Sequence, residues 1–220
     1  MMSVTKQLKE SIEGWANELR ESPLRMLAQR GEITPRALCL YLESLRYMFQ
    51  HTERNIALAA SRCMELGLTD FAGYFECKMR EENGHDGWAK NDLARLPEGV
   101  TSGIRPSAAV LKIIELQREL IAKHPICFVS YIVWAEYVTV LLGDEWLAAL
   151  AANGYSRDQL SAVSKHVDAD REHAQRGFFE FDTLWNEQLE AEALFETMRA
   201  ASRLFEEFCD EICGEARSAA

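Results

Sequence analysis

Glycine and proline are scarce, 12 and 5 in 220 residues. Ala, Leu, Glu and Arg dominate instead, and no stretch alternates apolar with polar residues, so the composition points to an all-α protein rather than a sheet. Positive charge is in the minority, with 24 Lys and Arg against 35 Asp and Glu. The formal charge of −11 argues against nucleic acid and anionic membrane as partners. The six cysteines, at 39, 63, 77, 127, 209 and 213, show no CxxC or zinc-finger spacing. They read as scattered thiols of a reducing cytoplasm. Residues 1–7 hold no apolar core of a signal peptide, which fits the same compartment. The longest apolar run, Pro125 to Gly143, contains Glu136 and is short for a membrane span. There is no internal repeat and no linker. With 48% hydrophobic residues the chain can build one core, so residues 1–220 are expected to form a single helical domain.

Helix-period stripes and their punctuation place the elements. Leu8, Ile12, Trp15 and Leu19 mark a first helix over 4–20, and Ser22-Pro23 ends it before a short piece to Arg30. Thr34-Pro35 opens a second long helix that Gly67 closes. Thr69-Asp70 is expected to cap a third, running through Trp88 to Leu96, and Pro97 to Pro106 is a loop. Pro106 and Pro125 open the fourth and fifth. The fifth is apolar on every face, the mark of a buried central helix, with a kink or interruption expected at Gly143-Asp144. Ser156 and Gln159 form a capping-box pattern before the sixth, which ends apolarly with Phe178, Phe179, Phe181, Leu184 and Trp185. The seventh runs from about Glu190 to Cys213. The expected architecture is a bundle of about seven helices.

The sixth helix carries His166, Asp170 and His173. Spacings of four and three put two imidazoles and a carboxylate on one face over two turns, a set of first-row metal ligands. A solvated polar face with incidental histidines would give the same pattern. The third helix supplies a second acid-x-x-His pair, Glu82 and His85. Helical di-iron carboxylate proteins use that unit together with single glutamates from other helices. Glu136 is the only formally charged side chain between Pro125 and Gly143. An ionised carboxylate there costs several kcal/mol unless paired or metal-bound. Binding to metal explains it; an ion pair with an Arg, or a protonated Glu, is the other explanation. On the second helix Glu53 stands 29 residues before Glu82, echoing the 34 residues between Glu136 and Asp170. Glu53 is therefore a weaker candidate ligand, with His51 and Glu43 as alternatives. Carboxylates with three imidazoles suit iron, with manganese as the next choice, better than zinc or calcium.

These residues resemble a known family. Glu81-Glu82-Asn83-Gly84-His85, followed by Trp88 and Asp92-Leu93, is similar to the EExGHxxW segment of iron-containing redox enzymes with a haem-oxygenase-like fold. Glu136, then His166-x3-Asp170-x2-His173, is similar to the second half of their site. The resemblance covers about Tyr41 to Phe181. It implies a seven-helix haem-oxygenase-like bundle holding two non-haem irons. Glu82, His85 and Glu136 would hold one, and His166, Asp170 and His173 would complete the pair. The implied function is O2-activating oxidation of a small organic acid or amine, with Phe75, Tyr131, Trp134 and the Phe178-Phe179 pair as walls of an apolar pocket. Family chemistries include fatty-acid decarboxylation, N-oxygenation, carbon–carbon lyase reactions and self-sacrificing para-aminobenzoate synthesis. Several members carry a glutamate seven residues before the histidine, where this chain has Lys78. The spacing here is nearer the fatty-acid decarboxylase type. Metal-independent relatives in thiamin salvage and pyrroloquinoline quinone synthesis lack the full ligand set and match less well. A non-catalytic metal-binding or interaction protein on the same fold is the competing reading. The sequence admits a homodimer without indicating one.

Overall fold

The computed structural model describes residues 3–184 and 191–218, and over these the chain forms nine α-helices and one short 3-10 turn. In order they are α1 (Val4–Arg20), α2 (Pro23–Gln29), α3 (Pro35–Glu65), α4 (Thr69–Glu82), α5 (Asp86–Leu93), α6 (Ala108–Lys123), α7 (Pro125–Ala152), the turn Arg157–Gln159, α8 (Ser161–Leu184) and α9 (Ala191–Ser218). The expected seven long helices are present, with α2 as the short piece and the third divided into α4 and α5. Trp185 and Glu190 lie outside the described residues.

Side-chain caps start four of these helices. Ser3, Ser22, Thr34 and Ser107 accept backbone N–H groups at the first turns of α1, α2, α3 and α6. Each such cap is worth about 1 kcal/mol over alanine. The Thr69-Asp70 cap is not made: Leu68 holds that position and gives no side-chain bond. The capping box of Ser156 and Gln159 forms in full, but it caps the 3-10 turn. The N-terminus of α8 is served from a distance. Asp92 of α5, 1% exposed, accepts the Ala162 N–H at 2.7 Å and the Ser161 hydroxyl at 2.6 Å.

Two sequence expectations fail for identifiable reasons. The third helix breaks at Asn83-Gly84, where Gly84 takes φ +83° and α5 sets off in a new direction. Asn-Gly is a turn signal, and it prevails over the helical stripe on either side. The helix is not interrupted at Gly143-Asp144, and α7 runs unbroken for 28 residues. Gly143 is instead a contact point: a Cβ there would overlap the Cγ2 of Val167 on α8.

The helices form two groups. On one side α3 packs on α4 and α5; on the other α7 packs on α8; α6 and α9 close the bundle across both. Apolar α7 is long enough to cross a membrane, but most of it is buried within the bundle. Sixteen of its residues are buried, Phe128, Val129, Ile132, Val133 and Trp134 among them. Each large apolar side chain withdrawn from water contributes about 1.5–3 kcal/mol.

Gly143→Ala is expected to destabilise the protein by about 1–3 kcal/mol through overpacking, because the stiff valine opposite cannot yield easily. Thermal unfolding measures this. Adding Val167→Ala is expected to recover part of the loss; no recovery would mean that the α7–α8 approach is not set at this contact.

Candidate metal centre

The break after α4 makes a corner, and the corner carries ligands. Glu82 ends α4 and His85 caps α5, yet the pair stays together: His85 Nδ1 donates to Glu82 Oε2 at 3.1 Å. His166 of α8 meets them. Its ring lies edge-on to His85, with centroids 4.7 Å apart, and stacks on Phe49 at 4.4 Å, while Trp88 stacks on His85 at 4.0 Å. Nitrogen and oxygen donors of Glu82, His85 and His166 all fall within 4.8 Å of one another. His166 Nδ1 donates to the Ala162 carbonyl at 2.6 Å, and its Nε2 is buried with no partner. In both rings Nδ1 thus donates, and in His166 the buried Nε2 is left without a partner. That is how a metal-binding histidine is usually prepared. Burial pushes His166 below its ordinary value against the pull of Glu82 and Asp170, so the ring is neutral. Burial also raises the Glu82 carboxyl, but the hydrogen bond from His85 and the nearby His166 outweigh it and hold it below its usual range. Two imidazoles and one carboxylate are the donor set of a non-haem iron(II) site.

A second group lies beside the first. Donors of Glu81, Glu136 and His173 also fall within 4.8 Å of one another. Glu81, which the sequence did not single out as a ligand, turns inward, and its side chain is 14% exposed. Asp170, 4% exposed, sits between the groups, with Oδ1 3.5 Å from His173 Nδ1. That carboxylate raises the His173 pKa above its ordinary value, against burial.

This second group already contains a cation. Lys78, 1% exposed, places Nζ 2.6 Å from Glu136 Oε1 and 3.1 Å from Glu81 Oε2. The charge of Glu136 is therefore tolerated because of a lysine, where the sequence suggested metal first and an arginine pair second. Arg176 bonds the other oxygen of Glu81. Burial pushes Glu136 up to about 7, with Lys78 opposing. Burial alone would lower Lys78, but its two carboxylates hold it above its ordinary value. A divalent ion about 4 Å from this ammonium would be repelled by about 8 kcal/mol at an effective dielectric constant of about 20. The donor chemistry thus fits a metal ion at Glu82, His85 and His166, and does not fit one at Glu81, Glu136 and His173 while Lys78 stays.

Of the second-helix candidates, Glu53 lies nearest the first group. Glu53 is exposed and lines an outer cleft with Gln50, Asp86, Glu82 and His85. His51 faces Arg118, whose Nη2 approaches Nδ1 at 3.2 Å. Glu43 pairs with Arg46 at 2.6 Å.

An apolar cavity of about 240 Å³ reaches Glu82 and His166 of the first group, while His85 lines the outer cleft. Its lining runs from Tyr41 to Ile56 on α3 and from Tyr131 to Trp146 on α7, 15 residues or about 22 Å along each helix. Glu82, Glu136, Lys78, His166 and Asp170 contribute its polar wall. Tyr131 and Trp134 line it as expected, whereas Phe75 stacks on Phe128, Phe178 packs on Tyr137, and Phe179 is 72% exposed. Trp146, Phe205 and Phe208 take their places. Arg20 and Arg25 also line the cavity, sharing Glu145 at 2.9 and 3.0 Å, and Arg25 Nε is buried without a partner.

No family model matches the chain, and neither does any curated protein sequence. Solved structures that share its fold include the following two. One, from Shewanella denitrificans, is described as a domain of unknown function with a haem oxygenase-like fold. It superposes with a TM-score of 0.84 at 21% identity, over 99% of this chain and 94% of that one. The other is a CADD-like protein of unknown function from Nostoc punctiforme, with a TM-score of 0.73 at 17% identity, over 97% and 96%. At these identities the likeness is one of fold: the chain has a haem-oxygenase-like, all-α architecture.

The folded protein holds the Glu136 proton more tightly than the unfolded chain. The stability this gives is complete below 4.5 and gone above about 7. Metal-free protein is therefore expected to lose about 3 kcal/mol of unfolding free energy from this group between those values. His173, also raised, adds to the loss in the same direction as pH rises through its folded value. Urea titrations of wild type and Glu136→Gln at pH 5 and 8 isolate the glutamate. A pH slope unchanged in the variant would assign it elsewhere.

Proposed function

We propose that the protein is an iron-dependent, O2-activating oxidase or oxygenase acting on a small acid or amine with an apolar body. One observation carries this: donor atoms of Glu82, His85 and His166 fall within 4.8 Å of one another, the buried Nε2 of His166 has no partner, and Glu82 and His166 stand on the wall of an apolar cavity. Such a seat leaves coordination positions open beside a space that excludes water, which is what oxidation of a bound substrate requires.

Glu82, His85 and His166 would hold the iron. When bound, iron(II) supplies the electron that O2 needs to become reactive. The protein's own groups do the rest. Ala162 O and Glu82 hold the Nδ1 atoms of the two imidazoles, so that Nε2 of each would be the atom offered to the ion. Trp134, Leu142, Phe205 and Phe208 exclude water and hold the apolar part of the substrate. Arg20 and Arg25 give an anionic group a place on the wall, and Asp170 accepts from a cationic one. The two-iron form of this chemistry, implied by the resemblance, would need a second ion at Glu81, Glu136 and His173, where Lys78 lies. The resemblance and the fold both support oxidase chemistry without naming a substrate.

Protein loaded anaerobically with Fe(II) is expected to consume O2 when given members of a panel of fatty and amino acids, and only slowly without them. His166→Ala is expected to abolish this together with iron binding. Val138→Phe, filling the cavity between α7 and the bundle, is expected to keep the iron and lower substrate-dependent O2 uptake at least tenfold. Iron binding with no O2 uptake on any substrate would favour the non-catalytic metal-binding protein.

A further inference from the structure

The two donor groups differ in one respect that the ligand spacing alone does not reveal. Around Glu82, His85 and His166 no lysine or arginine atom makes a hydrogen bond or ion pair with the donors among the described residues. Around Glu81, Glu136 and His173 there are two cations, Lys78 and Arg176.

Lys78 is among the largest fully buried side chains of the described residues. Its ammonium sits at hydrogen-bond distance from carboxylates on two helices, Glu81 on α4 and Glu136 on α7. Those carboxylates, with His173, form a nest of the size a metal ion would take. The position is not incidental. Phe71, Tyr74, Phe75 and Lys78 share the inward face of α4, so any side chain at 78 is aimed into the core. A neutral residue there would leave Glu81, Glu136 and Asp170 facing one another with only Arg176 and a partly charged His173 in reply. The lysine gives those acids a permanent counter-ion, supplied by the chain itself.

We infer that Lys78 is a built-in cation standing where a second metal ion would otherwise bind, so that the chain carries one divalent ion, at Glu82, His85 and His166. The inference rests on the metal seat described above and not on O2 chemistry. A lysine cannot change oxidation state, so the second group is electrostatic: it keeps Glu136 and Glu81 ordered beside the metal and presents a fixed positive charge to the cavity.

The test counts metal on the full-length protein. Mn(II) or Fe(II) is added anaerobically, excess is removed, and the metal-to-protein ratio is measured, with electron paramagnetic resonance on the manganese form. Wild type is expected to retain about one ion per chain, with the six-line spectrum of uncoupled Mn(II). Lys78→Met, which keeps the length and removes the charge, is expected to retain about two, with the spectrum of a magnetically coupled pair. Lys78→Gln, which keeps a hydrogen-bond donor, is expected to do the same and serves if the methionine variant does not fold. His166→Ala is expected to lose the wild-type ion. Wild type with two coupled ions overturns the inference, and so does either lysine variant that stays at one. Metal retained by His166→Ala would remove the proposed seat instead. Metal counts as expected with no O2 uptake would leave the lysine's role intact and remove only the oxidase reading.

Discussion

The bundle has to keep several charges inside an apolar core, and the contact between Lys78 and Glu136 is where it does so. Glu136 lies on α7, a helix with almost no polar face, and Lys78 lies on α4, in the other group of helices. Leaving either alone would strand a buried charge, at a cost of about 3–5 kcal/mol. Together they tie the two groups across the cavity and add Glu81 and Arg176 to the same network. The network in turn fixes one wall of the cavity and the side of α8 that carries Asp170 and His173.

Close approach of α7 and α8 is the second constraint. Gly143 lets Val167 press against the α7 backbone, and Gly177 does the same nearer the site, where a Cβ would lie 3.3 Å from Glu136 Oε2. Both glycines are helical, so their use is lack of bulk rather than unusual dihedrals. With the helices this close, Glu136 can reach the group around His173. The same crossing brings His166 over the α4–α5 corner.

Much of this was legible in the chain. The stripes and proline starts located the long helices, because apolar period and caps act locally. His166, Asp170, His173, Glu82, His85 and Glu136 were singled out by spacing and by isolation in apolar surroundings; five of them fall into two neighbouring donor groups, and Glu82, Glu136, His166 and Asp170 line one cavity. Two kinds of information were not local. Asn83-Gly84 outweighed a continuous stripe, which no count of apolar residues reveals. The partner of Glu136 lies 58 positions away. Its signal was nonetheless present: Lys78 continues the inward face of Phe71, Tyr74 and Phe75, a charge at a core position just as Glu136 is. Read together, the two misplaced charges of opposite sign point to each other. Glu81 had no such signal, since its neighbour Glu82 masks it, and only the helix break decides which of the two faces which group. Phe178 and Phe179 misled because aromatic residues were counted without their helix phase, which turns Phe179 outward.

The corner at Asn83-Gly84 also divides the metal seat between two bodies. Glu82 belongs to α4, while His85 begins α5, and α5 is fastened to α8 by Asp92 at the first turn that leads to His166. The two imidazoles are thus carried by helices fastened to each other, and the carboxylate by α4. An ion gripping all three is a clasp across a joint. Through linkage, metal at a hundred times its dissociation constant would stabilise the closed joint by about 2.7 kcal/mol. On the proposed reading, a bound ion would stiffen the bundle at this corner.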